Sequence, residues 1–358
     1  MSIQWADDFS RYGLGALSDN AMLEGLPYAV IGTTGDGGEV VNDPDPNESG
    51  RAFEVGQGGS NVSDFRIALP TVVTGTLRSA CRFWLSNLPT NSNQLARLVA
   101  FLEVDADTLL RVVLQQNGSV KVFGPVSGTV VQVADTINPV VSPSSWNHWE
   151  VEHNMLTGAG ALYINGVSRL TWAGVDGSKS AALINYSHRD LASPSIDLFM
   201  KDLVIADSLG SVNNTTIGTV IVRRLKPNAD STLGGWVPST GLTGFNLLAK
   251  DAPNDATYLS ATPSATTPMA FNLENLPTDV TSVRGLISVV RMRKVDGGDA
   301  TVQTGLSPNN TNWDDGADRP ITSAFTYSFD VSELDPATAT AWSPAAVDTA
   351  LVRVDRTT

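Results

Sequence analysis

The stretch from Trp146 to Trp172, WNHWEVEHNMLTGAGALYINGVSRLTW, most narrows what this chain can fold into. It predicts three successive antiparallel strands. In the first, Trp149, Val151 and His153 point one way while His148, Glu150, Glu152 and Asn154 point the other, the period of two of a half-buried strand. The second, 161–164, runs into Asn165-Gly166, a dipeptide suited to a two-residue hairpin because both central residues need positive φ. The third, 167–172, returns across that turn.

Such a meander needs other strands to pack against, and the preceding residues supply them. LLRVVLQQNGSVKVF predicts a hairpin turned at Asn117-Gly118. Leu110, Val112 and Leu114 make a wholly apolar face, whereas Leu109, Arg111, Val113 and Gln115 make a mixed, half-covered one. Further strands are expected at 65–69, 76–85, 98–104, 181–187 and 196–205. Residues 1–50 read as poor in regular structure, with TTGDGGEVVNDPDPNESG as an exposed loop. No long window has a helical period, and no repeat of 20–50 residues is visible. The expected class is all-β: a jelly-roll sandwich over 1–207 and a second, smaller β-sandwich over 208–358, divided at DSLGSVNNTT. In the second domain strands are expected at 217–225, 245–248, 269–273, 283–292, 300–304, 322–330 and 351–354. Ser343-Pro344 before AAVDTAL offers an N-cap with proline at the first helical position, which predicts a short helix.

At 358 residues, with 42% hydrophobic and 17% charged side chains, the chain can bury two apolar cores. Its net charge of −14 is spread over both domains, with 12 basic and 22 acidic residues up to Asp207 and 11 and 15 beyond. That balance argues against nucleic acid as a partner. Arg291-Met292-Arg293-Lys294, the densest basic run, reads as a solvated strand end. Cys81 is the lone cysteine and sits in the apolar strand LRSACRFWL, so an inert buried thiol and assembly in a reducing cytoplasm are expected. MSIQWADDFSRYG has no basic segment leading into an apolar run, so neither a signal peptide nor membrane insertion is expected.

Few residues are placed to supply catalytic or metal-binding chemistry. Glu103 and Asp105 share a strand face, and two such carboxylates could act as nucleophile and acid on a glycoside. Sandwich-fold glucanases carry a further Glu three residues after the central Asp, and here that position is Thr108, so a turn with solvated acids around Asp105 and Asp107 is expected. His148 and Glu150 lie across the strand from His153, so these residues and Glu152 cannot converge on a metal. Each histidine, the isolated His188 included, reads as a satisfied or surface side chain. Asp36, Asp43 and Asp45, and separately Asp296 and Asp299, could offer oxygen ligands to calcium, but solvated turns fit their spacing better. No phosphate loop and no GxSxG occurs, and nothing makes Cys81 a nucleophile. No catalytic residue, metal or cofactor is expected.

WNHWEVEHN…GALYING resembles the corresponding strands of concanavalin/laminin-G-like jelly rolls, and LLRVVLQQNGSVKVF and DLFMKDLVIAD fit the same pattern. WADDFSRYG and DLVIADSLGSVNNTTIGTVIVRRLKPNADST…GW are similar to structural proteins of tailed bacteriophages that carry such a domain. ELDPATATAWSPAAVDTALVRVDR resembles that family's closing "D-P-x-T-x-x-x-W" and valine-rich strand. The resemblance covers most of the chain. It implies a non-enzymatic virion component on the tail or capsid surface, with other virion proteins and copies of itself as partners. The alternative is a lectin-like module for host-surface glycans, with Trp172, Trp236 or Trp313 stacking on sugars.

Overall fold

The computed structural model describes residues 2–9, 11–12, 15–16, 27–33, 38–48, 50–56, 61–89, 95–190, 196–213, 215–250, 254–261 and 267–357. Antiparallel strands dominate it, as the alternating patterns require, and the chain divides into two compact units after Val222.

The first unit is a sandwich of two sheets. Its strands are β1 (Ser2–Asp7), β2 (Gly15–Ala16), β3 (Tyr28–Thr33), β4 (Glu39–Asn42), β5 (Arg51–Gly56), β6 (Asn61–Val73), β7 (Thr76–Leu85) and β8 (Leu95–Leu102). They continue as β9 (Thr108–Leu114), β10 (Val120–Val126), β11 (Thr129–Asp135), β12 (Asn147–Asn154), β13 (Gly160–Ile164), β14 (Val167–Trp172), β15 (Ala181–Asp190) and β16 (Leu198–Asp207). One sheet has nine strands in the order β14-β13-β12-β7-β16-β5-β4-β2, with β1 also on β16. The other has seven, β11-β10-β9-β8-β15-β6-β3. β1, β3 and β4 correct the expectation that residues 1–50 carry little regular structure: non-local pairing with β16, β6 and β5 recruits segments whose own propensity is weak.

The three-strand stretch forms as predicted. Trp149 pairs with Ile164 and Val151 with Leu162, and Asn165 and Gly166 turn at φ +52° and +75°. The hairpin at Asn117-Gly118 closes differently. Only Gly118 takes a positive φ, +78°, while its N–H donates to the Gln115 carbonyl (3.0 Å) and Gln115 donates to Ser119 (2.8 Å). That is a type I turn followed by a glycine bulge.

Trp149, Val151 and His153 face the interior, each 2% exposed. A continuous run of rings crosses this core: Phe9 to Phe53 (centroids 5.3 Å), Phe53 to Phe65 (4.5 Å), Phe65 to Tyr186 (6.0 Å), Tyr186 to Phe83 (6.1 Å) and Phe83 to Trp149 (6.3 Å). Leu110, Val112 and Leu114 join the core as expected, but Leu109 and Val113 on the mixed face are buried as well.

The expected strand at 217–225 does not form. Instead residues 215–222 lie as an unpaired strap on the outer face of the nine-stranded sheet, where Ile217 packs with Ala80, Val204 and Ala206. Residues 208–222, placed in the second domain by composition, therefore belong with the first unit.

The second unit carries a six-stranded antiparallel sheet, ordered Pro227–Thr232, Met269–Leu273, Leu351–Arg356, Thr301–Ser307 and Asp314–Asp315, with Arg319–Pro320 also on Thr301–Ser307. The ribbon Leu286–Met292/Thr326–Ser332 packs against it, so that Val290 and Met292 meet a core of Met269, Phe271, Val302 and Val354. Residues 245–248, expected as a strand, lie in the short helix Gly244–Leu248. The Asp230 carboxylate accepts the N–H groups of Gly244 (3.0 Å) and Phe245 (2.6 Å) and satisfies the helix start. The expected helix is Pro344–Asp348, with Ser343 Oγ accepting the Ala346 N–H at 3.1 Å. Among the described residues no helix is long and apolar enough to cross a membrane.

Candidate functional site

Alternation along β7, β12 and β16 puts Arg82, Trp84, His148, Glu150 and Lys201 on the outer face of the nine-stranded sheet, opposite the core side chains Phe83, Trp149 and Met200. The loop after β4 brings Asp43 and Glu48 over this face. Lys201 donates to both carboxylates, and Arg82 grips Glu48 with two nitrogens (2.9 and 3.0 Å) and Asp202 with Nε (2.6 Å). Asp202 is placed by a bulge in β16, where it takes φ +52° and the register against β7 shifts. Trp146 completes the cluster. Its indole N–H donates to Asp43 (3.2 Å), and Lys201 Nζ lies 4.3 Å from its ring centroid. Its ring meets Trp84 at 5.9 Å and 60°, and both indoles are half-buried.

Burial works to raise the Glu48 carboxyl, yet hydrogen bonds and charge from Arg82 and Lys201 carry it below the ordinary carboxylate range. Burial likewise opposes the Arg82 charge, and Glu48 and Asp202 overcome it. Lys201 and Asp43 are almost fully buried, 6% and 2% exposed at the side chain. Removing one partner would strand the other's charge, so the network is rigid. It presents two half-open indoles beside fixed polar groups, an arrangement suited to a flat ligand with one apolar and one hydroxylated face.

The strap closes the neighbouring part of the face. Glu150 accepts the N–H groups of Ile217 (2.7 Å) and Gly218 (2.9 Å), and Asp202 accepts that of Val222 (2.9 Å). His148, on the same face, is buried with neither ring nitrogen bonded, which corrects the reading of a satisfied or surface histidine. Burial first, and the Arg82 charge second, lower its pKa to about 4.

The remaining candidates fall into place around this. His153 lies in the core, accepts the Trp172 indole N–H at Nδ1 (3.2 Å), and is held by burial at a pKa of about 4. Glu152 pairs with Arg78 at 2.7 Å, so the two histidines and two glutamates do not converge. His188 lies in β15, with its side chain outside the described part of the residue.

Glu103, Asp105 and Asp107 sit in the β8–β9 turn, where Glu103 pairs with Lys179 at 3.3 Å. One oxygen from each comes within 4.8 Å of the others, a convergence that the two-residue periodicity missed because Ala106 turns at φ +70°. Three ligands fall short of the six to eight oxygens calcium takes.

Asp43 is held by Lys201 and Trp146, Asp45 accepts the Asn47 N–H (2.9 Å), and Asp36 lies outside the described residues. Asp296 and Asp299 lie in an exposed loop and join no group of three ligands among the described residues. Cys81 is buried beside a cavity of about 10 Å³ between the sheets, and burial, then the Asp202 charge, pushes its thiol well above the usual range. Of the tryptophans proposed for stacking, Trp172 is buried against His153 and Trp236 packs on the second core, while Trp313 is half-exposed under the Arg353 guanidinium (4.4 Å). Trp84 and Trp146 form a pair that sequence does not show, because their partners are distant along the chain. Arg291 is held by Asp255 (3.0 and 2.8 Å), and Arg293 is exposed over Phe325.

No family model matches the chain, and no curated protein matches it in sequence. Among solved structures it is similar to a sialidase, at 11% identity over 58% of this chain and 19% of that one, with TM-score 0.36. It is also similar to the carbohydrate-binding module CBM66 from Bacillus subtilis, at 10% identity over 51% and 96%, with TM-score 0.35. A third is the botulinum neurotoxin type G receptor binding domain, at 12% identity over 69% and 68%, with TM-score 0.36. The chain spans about 19% of the sialidase's length, and at these levels of likeness no function passes from these proteins to this one.

Proposed function

We propose that the chain is a non-catalytic binding protein whose first unit takes a glycan on the Trp84–Trp146 face. The tilted indole pair carries this reading, set beside Lys201, Arg82, Asp43 and Glu48, whose positions are locked by their mutual pairing. The sugar's apolar face lies on the rings, and its hydroxyls meet the exposed edge of the ion network. Two cations face three carboxylates there (Asp43, Glu48 and Asp202), which favours a neutral sugar over a carboxylated or sulfated one. The protein's net charge of −14 acts in the same direction. Crystals of the full chain soaked in neutral oligosaccharides test this directly. Sugar density within van der Waals reach of both indoles is expected; density elsewhere, or none at saturating sugar, overturns the assignment.

The wider setting we propose is the surface of a tailed-phage particle, as a structural and adhesive component. WADDFSRYG favours it, because its residues build one buried knot. Asp7 accepts hydrogen bonds from Phe9 N (2.8 Å), from the Tyr12 hydroxyl (2.9 Å) and from the Tyr28 hydroxyl, and pairs with Arg11 at 2.7 Å. Mass spectrometry of gradient-purified particles tests the setting: stoichiometric recovery with the virion is expected, and loss of the chain on purification contradicts it.

A further inference from the structure

Strand β11 ends the seven-stranded sheet, and among the described residues only β10 pairs with it. The hairpin tip between them, Ser127-Gly128, turns at φ +52° and +77°. It is fixed by the Asp176 carboxylate, which accepts both tip N–H groups at 2.8 Å. Such a two-residue turn makes Val126 and Thr129 the hydrogen-bonded pair next to it. The following pair is Pro125 with Val130, and Pro125 has no N–H to give. The backbone groups of Val130, and of Gln132 two residues on, therefore point away from β10 to the open edge.

From Thr129 to Ala134 this edge carries neither charge nor proline, and its one blocking device is a bulge at its far end. From Val122 to Ala134 no side chain is charged, and Thr129–Gln132 holds regular register before the bulge at Val133. Thr129 to Gln132 are all exposed, with Val130 at 43% and Val131 at 39% on opposite faces. β14, the outermost strand of the other sheet, lies on the same flank and differs in carrying Arg169 at its middle. Charge decides what fits. A chain of net charge −14 repels its own copies over most of its surface, but not along an uncharged strand.

We propose that β11 is a self-association edge, on which a second copy of this chain adds its own β11 antiparallel about a two-fold axis. With the open groups on Val130 and Gln132, the matching register sets Val130 against Gln132 of the partner subunit. Val131 then meets its own symmetry mate as a close, non-hydrogen-bonded pair. Exposed Val126 and Val167 widen the contact on the same flank. One strand pair falls below the roughly 1,200 Å² of a tight interface, so a weak, concentration-dependent dimer is expected.

The register makes the test specific and independent of glycan binding. Cα atoms in a close antiparallel pair lie about 4.5 Å apart, within disulfide reach. The Val131→Cys full chain, in which native Cys81 is buried, should crosslink to a covalent dimer under mild oxidation. Val72→Cys, at a site 56% exposed on β6, should form no covalent dimer. Sedimentation of the unmodified chain should show mass rising toward the dimer as concentration increases, and Val131→Lys should remove that rise. A strictly monomeric native chain at roughly 1 mM overturns the proposal. So does equal crosslinking of the two cysteine variants, or an assembly that Val131→Lys leaves unchanged.

Discussion

His148 and His153 sit on opposite faces of one strand, yet burial lowers both to a pKa of about 4. In the unfolded chain each would titrate near 6.5. Between those values the unfolded chain binds more protons than the folded one, so stability is complete above about pH 6.5 and falls as pH drops toward 4. Each histidine is worth about 3 kcal/mol over that window. Glu150 works in the opposite sense. Burial outweighs the two N–H groups it accepts and raises its pKa, so its share of stability is present at low pH and is lost as pH rises through the raised value. Urea unfolding across pH 4–7 should show the net acid loss, and His148→Leu should flatten it by about half. An unchanged profile in that variant would contradict the buried, unbonded imidazole. The strand pattern put the two histidines on opposite faces. It could not show that both faces are covered, because residues 215–222, which pack on part of the outer face, are far along the chain.

At the scale of elements, the strap is the part that sequence misread. VIVRRL has the β-branched run of a strand, but Glu150 and Asp202 capture the backbone of Ile217, Gly218 and Val222, and no ladder forms. Side-chain acceptors here replace a neighbouring strand as partners for those N–H groups. Replacing Glu150 with Ala would leave one buried and one half-buried donor unmet, at about 1–3 kcal/mol for the buried Ile217 N–H. Hydrogen exchange should therefore accelerate at Ile217 and Gly218 in Glu150→Ala while the β7 and β12 amides keep their protection. Uniform acceleration across the sheet would instead make Glu150 a part of the core. Elements whose cause is local were legible: the Asn165-Gly166 turn, the period-two strands β7, β9 and β12, and the helix begun at Ser343-Pro344. The helix Gly244–Leu248 was not, because Asp230, which holds its start, lies outside the local window.

For the whole molecule, composition and alternation were enough for an all-β fold in two units. They did not reveal the face proposed here for a glycan. Trp84 and Trp146 meet only once β7 and β12 pair, and the loop carrying Asp43 and Glu48 reaches Lys201 across most of the first unit's length. The tryptophans that sequence favoured are either packed inward, as Trp172 is, or held by neighbours of their own. The most direct test of this account is a glycan array probed with the full chain and with Trp84→Ala side by side. We expect saturable signal on neutral glycans, reduced at least about tenfold by the substitution, as loss of one stacking ring would give. Retention of no glycan, or identical profiles for the two proteins, would contradict it.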